Sequence, residues 1–223
     1  MPINDMEQQI RLAMQDADLR PEEIPAIDLY VDQITSLVAD RAKEGSPRYH
    51  DRLLTKTMIN NYSKDGLISP IKGKKYTKEQ ILQMLLVYSM KNTLSIGEIK
   101  RILQNVYALP DYSEKMLEDV YKRFLEIKEL EREEAFDMIT GFADRWEFDP
   151  ENDADFFTFL LGLSAWSAYL KCIVQELLET RYLEKEDLEK AVAKRQKEEK
   201  KAAKKEKNTK KADGNDGESE AQD

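Results

Sequence analysis

The sequence predicts a mainly α-helical protein, and three observations carry that reading. Of its 223 residues 35% are charged while only 8 are Gly and 7 Pro, a balance that suits long solvated helices and not a sandwich or barrel of short strands. Apolar residues recur at steps of three and four along most of the chain, the period of an amphipathic helix. Helix punctuation recurs too: Thr77 stands three before Gln80 and Ser95 three before Glu98, the capping-box spacing. The length allows one large domain or two small ones with a real core.

Composition also narrows the function classes. The one cysteine, Cys172, cannot form an intrachain disulfide, and the one histidine, His50, leaves no zinc site of the usual Cys/His type. His50 reads as a surface loop residue and Cys172 as an inert core thiol on a helix. The acidic N-terminus never runs apolar, so no signal or transit peptide is expected and the location predicted is the cytoplasm. No Gly-rich phosphate loop, nucleophile elbow or Ser/His/Asp arrangement occurs, so an enzyme is not expected and no cofactor is implied.

Charge is unevenly spread. The net charge of −9 resolves into −6 over residues 1–45, +7 over 46–105, −10 over 106–182 and zero over 183–223. A basic stretch inside an acidic chain is a candidate footprint for a polyanion. The plainer reading is that it docks on the acidic helices beside it.

Taken in order, residues 5–18 suit a short helix stopped at Arg20–Pro21, since the residue before Pro disfavours the α region. An amphipathic helix follows, with Ile27, Tyr30, Val31, Ile34, Leu37 and Val38 on one stripe, Pro25 near its start and Gly45 past its end. Within the basic stretch, residues 54–66 form a short helix capped by Thr55 and ended by Gly66. Its spacing turns Leu54, Met58, Ile59 and Tyr62 inward and leaves Lys56, Thr57, Asn60, Asn61 and Lys64 outward, the donors and amides that base edges and phosphates require. Residues 67–76 suggest a small hairpin whose tip carries Lys72, Lys74 and Lys75 around Gly73. Three lysines there make a phosphate clamp, or simply a solvated turn. Tyr62 and Tyr76 equally suit packing, and Asn60 and Asn61 equally suit a solvated face. Helices opening at Thr77, apolar almost all round, and at Ser95, with Ile96, Ile99, Ile102 and Leu103 as its stripe, complete the module.

These residues resemble a known pattern. Thr55, the run Tyr62, Lys64, Asp65, Gly66, Leu67 and Ile68, then Pro70, Lys74–Tyr76, and finally Leu94, Ser95, Glu98 and Ile99 look like the MerR-type winged helix-turn-helix. Over Ile24–Leu103, including IPAIDLYVDQI and LTKTMINNY, the chain resembles more closely the bacterial domain-of-unknown-function family 1836, itself similar to MerR in its DNA-binding region. The resemblance implies a transcription regulator. The chain departs from MerR motifs in carrying Asn60-Asn61 where Arg-Tyr is usual, in the long loop SPRYHDR, and in a short wing.

Beyond 105 the chain is acidic and helical. Met116 to Leu130, then Phe136, Ile139 and Phe142, fit one long helix or two joined near 131–134. After a turn at 148–152, the uncharged run Phe156–Leu170 spans 15 residues, short of the roughly 20 that cross a membrane. It is expected inside a helical bundle or a dimer interface, with Gly162, Ser164, Ala165 and Ala168 permitting close approach and Trp166 and Tyr169 as anchors. The tail mixes Lys and Glu at helical spacing and then turns small and acidic.

The expectation is therefore a winged helix-turn-helix over 24–105 with a small β wing, preceded by an N-terminal segment at 1–23. An acidic all-helical domain at 106–182 and a charged helix with a disordered tail at 183–223 follow. The function expected is sequence-specific binding of double-stranded DNA by a homodimer, without membrane and with an unidentified effector. Arg52, Thr55, Lys56, Thr57, Asn60, Asn61, Tyr62, Lys64, Lys72, Lys74 and Lys75 are the expected DNA contacts. The alternative is a helical interaction adaptor that has lost DNA.

Overall fold

The structure, a computed structural model, describes residues 3–15, 17–43 and 54–212, with the backbone alone for 3, 4 and 203–212. Arg52, His50 and the loop SPRYHDR lie outside the described residues. The helices are α1 (Ile3–Met14), α2 (Val31–Ala42), α3 (Lys56–Lys64), α4 (Lys78–Met90), α5 (Ile96–Tyr107), α6 (Glu114–Arg145), α7 (Asp153–Arg181) and α8 (Lys185–Ala212). Strands β1 (Leu29–Tyr30) and β2 (Lys75–Tyr76) pair antiparallel, Leu29 opposite Tyr76 and Tyr30 opposite Lys75. The chain divides into two compact units, Met1–Arg181 and Tyr182–Asp223. In the second, the Lys/Glu-rich α8 is solvated along nearly all of its described length.

Helix α4 centres the first unit. Its predicted capping box is formed: Gln80 N–H donates to Thr77 Oγ1 at 3.3 Å, and Thr77 N–H to Gln80 Oε1 at 3.0 Å. Ile81, Leu82, Met84, Leu85 and Val87 are buried, as an all-round apolar helix requires. Helices α3 and α6 and strand β2 pack on α4, and α2 packs on α3. Ser95 caps α5 as its spacing predicts, its Oγ accepting from Glu98 N–H at 3.2 Å.

A second core joins three elements distant in sequence. Met6 of α1, Ala143 of α6 and Phe159 of α7 are buried together, with Ile10, Ile139, Phe142, Phe148 and Leu163 around them. Trp146 stacks on Phe142 at 5.3 Å and meets Phe159 edge-on at 6.1 Å.

The tertiary structure corrects several expectations. Helix α2 begins at Val31, because Leu29 and Tyr30 are taken into the sheet; Ile27, placed by periodicity on the buried stripe, is 69% exposed. Among the described residues, 67–76 forms no hairpin: β2 pairs with β1 instead. The reason is local, since the 67–70 backbone is held by side chains of α4. Ser69 N–H donates to Gln83 Oε1 at 2.8 Å, and Gln80 Nε2 donates to the carbonyls of Ser69 and Pro70 at 3.1 and 3.0 Å. Pro70, with no N–H, cannot join a ladder in any case.

The other corrections concern α7. It is not buried in a bundle: Phe157, Leu160, Leu161, Trp166, Tyr169, Leu170, Ile173, Val174 and Leu177 are all exposed, and Cys172 is an exposed thiol. At the second core α1, the end of α6 and Phe148 of the following turn reach it, which is too little to cover a 29-residue apolar helix. By length and composition α7 is also long and apolar enough to cross a membrane. The 15-residue reckoning stopped at Lys171, whereas Cys172, Ile173 and Val174 continue the run. Finally, Gly162 answers to its own chain: a Cβ there would lie 2.7 Å from the Trp146 ring.

Candidate nucleic-acid interface

Helix α3 is built to show one face. Thr55 Oγ1 accepts from Met58 N–H at 3.2 Å, which starts the helix. Gly66, at φ +69°, takes the left-handed conformation that ends it. Leu54, Ile59 and Tyr62 are buried and Met58 half-buried, as the spacing predicts. Lys56, Thr57, Asn60, Asn61 and Lys64 are exposed. Among the described members of the expected contact set, Tyr62 is the one that faces inward. It is 4% exposed, and desolvation holds its hydroxyl above its ordinary pKa, so its role is packing.

The turn before β2 exposes Lys72, Lys74 and Lys75, with Gly73 at φ +84°. A short stretch brings it to the edge of α3. Lys75 lies over the Tyr30 ring at 5.0 Å, and two residues on, Asp32 forms an ion pair with Lys56 at the start of α3. Two residues span at most about 7 Å, so the lysine turn and the α3 N-terminus share one side of the molecule.

The buried amides of α4 hold that turn. Besides accepting from Ser69 N–H, Gln83 donates through Nε2 to Ser69 Oγ at 2.9 Å and to the Tyr112 hydroxyl at 3.1 Å. The Tyr112 hydroxyl in turn donates to Glu79 Oε1 at 2.5 Å. Burial, together with the Glu79 carboxylate, raises the Tyr112 pKa well above its ordinary value, so the phenol stays a donor. Tyr107 closes the network, its hydroxyl donating to the Leu67 carbonyl at 3.3 Å.

The cations of the basic stretch separate into two sets. Lys78 pairs with Glu118 of α6 at 3.0 Å and Arg101 with Glu179 of α7 at 2.7 Å, so part of the stretch does dock on acidic helices. Lys64, Lys72, Lys74 and Lys75 make no ion pair among the described residues. Two further cations stand beside α3 that its own sequence does not indicate. Lys91 Nζ lies 3.6 Å from Met58 Sδ, and the Lys100 side chain closes on Gly66. The regional charge count included both; only the packing of α4 and α5 against α3 says where they stand.

No curated protein and no solved structure matches the chain. Residues 19–124, which contain α2 to α5 with both strands, match the family described as "Domain of unknown function (DUF1836)".

Proposed function

We propose that the protein is a cytoplasmic DNA-binding transcription regulator, a MerR-like winged helix-turn-helix working as a homodimer. The supporting observation is the outward face of α3, where two amides and two lysines stand exposed beside a turn of three lysines. Asn60 and Asn61 have the donor and acceptor pair that reads adenine in the major groove. Thr57 reaches base or backbone, and Lys56, Lys64, Lys72, Lys74 and Lys75 meet phosphates. The acidic helices contribute dimerisation or effector sensing, and their charge keeps DNA from other surfaces.

Titrating duplex DNA across a salt series, read by fluorescence anisotropy, tests this. Five lysine–phosphate contacts give a log–log slope of about −4.5, or roughly a 500-fold loss of affinity from 50 to 200 mM salt. Replacing Lys72, Lys74 and Lys75 by Ala removes about 2.7 from that slope. Asn60→Ala leaves the slope unchanged and relaxes base preference by about 1–3 kcal/mol at its position. The adaptor reading draws on the ion pairs of Lys56, Lys78 and Arg101. It predicts no salt-dependent DNA binding at all, and that result refutes the regulator.

A further inference from the structure

Helix α7 carries an apolar seam with a coiled-coil period. Phe156, Phe159, Leu163, Trp166, Leu170, Ile173 and Leu177 follow one another at alternating steps of three and four, the spacing that keeps one stripe against a partner helix. The first half of the seam is covered, with Phe159 and Leu163 in the second core; Trp166, edge-on to Phe142 at 5.8 Å yet 40% exposed, opens the second. Among the described residues the second half has no cover: Leu170, Ile173 and Leu177 are 49%, 54% and 63% exposed. This second half also faces away from α5. On the far face of the helix, Gln175 donates to Glu98 of α5 at 2.6 Å, and Glu179 holds Arg101.

These same ties bear on the occupant. Phe159 and Glu179 both bind elements of one compact unit, and they stand 20 residues apart, about 30 Å of helix. That is the thickness of a bilayer core. A spanning α7 would put a membrane between two parts of one folded unit. A heptad seam instead specifies a helix as its partner, and a second copy supplies one of identical spacing.

The area suffices. Trp166, Tyr169, Leu170, Ile173, Val174 and Leu177 are each 40–63% exposed, which at about 180 Å² per side chain gives roughly 550 Å² a copy and 1,100 Å² for a pair. A specific interface needs about 1,000 Å². The patch also has an interface composition, large aromatic and aliphatic side chains with Lys171 the one charge between Phe156 and Gln175.

We infer that the uncovered half of this seam, Trp166 to Leu177, is the surface on which a second copy of the chain docks, helix against helix across a two-fold axis. The choice of a second copy rests on the homodimer proposed above; the surface itself rests on the seam. Sedimentation velocity on the full chain at tens of micromolar tests it. Wild type is expected at twice 26.0 kDa and the Leu170→Glu/Ile173→Glu variant at 26.0 kDa, with unchanged helical circular dichroism. Should that variant lose its helical signal, a nitroxide on Cys172 of the unmodified chain takes its place, expected to show intermolecular dipolar coupling. A monomeric wild type, a label without coupling, or a dimer that survives Leu170→Glu/Ile173→Glu but not Ile127→Glu on α6 would overturn the inference. So would wild-type binding to phosphatidylcholine–phosphatidylglycerol vesicles that the double variant abolishes. A dimer that binds no DNA refutes the regulator and leaves the interface standing; a monomer that binds DNA does the reverse.

Discussion

Replacing Gln83 by Leu tests whether the buried amides of α4 set the lysine turn. Gln83 is fully buried at 0% exposure, and its partners are the Ser69 N–H, the Ser69 hydroxyl, the Tyr112 hydroxyl and, more weakly at 3.4 Å, Glu79 Oε1. Leu has nearly the same volume, so no cavity opens and the loss is polar. The Ser69 N–H, left without an acceptor, costs about 1–3 kcal/mol. The two hydroxyls lose less, since Tyr112 keeps Glu79 and a hydroxyl can rotate; they add about 1 kcal/mol together. Burying Leu in place of an amide returns about 1 kcal/mol. The net is a loss of about 2 kcal/mol, or about 4–8 °C in Tm for a chain of this size. Urea denaturation followed by circular dichroism reads it, and a cycle with Ser69→Ala should show coupling of about 1 kcal/mol. A neutral or stabilising Gln83→Leu would mean that the amide network does not hold residues 69–70.

Two further predictions concern the long helices. Gly162→Ala brings a Cβ to 2.7 Å from the Trp146 ring. The half-exposed indole must then swing out, forfeiting its stacking on Phe142 and its edge contact with Phe159. Those contacts are worth about 2 kcal/mol together, against about 1 kcal/mol gained in helix propensity. Net destabilisation of about 1 kcal/mol with red-shifted tryptophan emission is expected; a stabilised variant with unchanged emission would show that the indole does not press on Gly162. Glu118 gives a pH dependence. Hydrogen bonds from Lys122 and Lys78, at 2.9 and 3.0 Å, hold its carboxyl below the ordinary value of 4.5. A depressed folded pKa contributes stability that is present above the ordinary value and lost as pH falls through the folded one. The urea midpoint should therefore drop on acidification below about pH 4.5, and less steeply in Glu118→Gln; equal slopes in the two proteins would refute the assignment.

The parts of the site read correctly from sequence are those governed by local chemistry. Thr55, Thr77 and Ser95 cap their helices because a hydroxyl three residues before an orphan N–H needs nothing beyond its own turn. The inward and outward faces of α3 follow from its period alone. The misread parts depended on competition between segments. Residues 67–76 have the composition of a hairpin, but Gln80 and Gln83 claim the backbone of 69–70, and β2 takes its partner from residues 29–30. The same strand removed Tyr30 from the helix to which periodicity assigned it. Cys172 was misjudged because an apolar helix suggests burial, and whether anything covers that helix is not written in its own residues.

By itself, then, the sequence determined the helical class, the capped helix starts and the basic stretch between acidic flanks, because each depends on neighbours within a turn or two. Only the tertiary structure decided which cations are spent on Glu118 and Glu179 and which stay solvated beside α3. It alone decided that the seam of α7 runs out of partners halfway along. Both outcomes turn on contacts between residues far apart in sequence, Arg101 with Glu179 across 78 positions among them, and period and composition carry no information at that range.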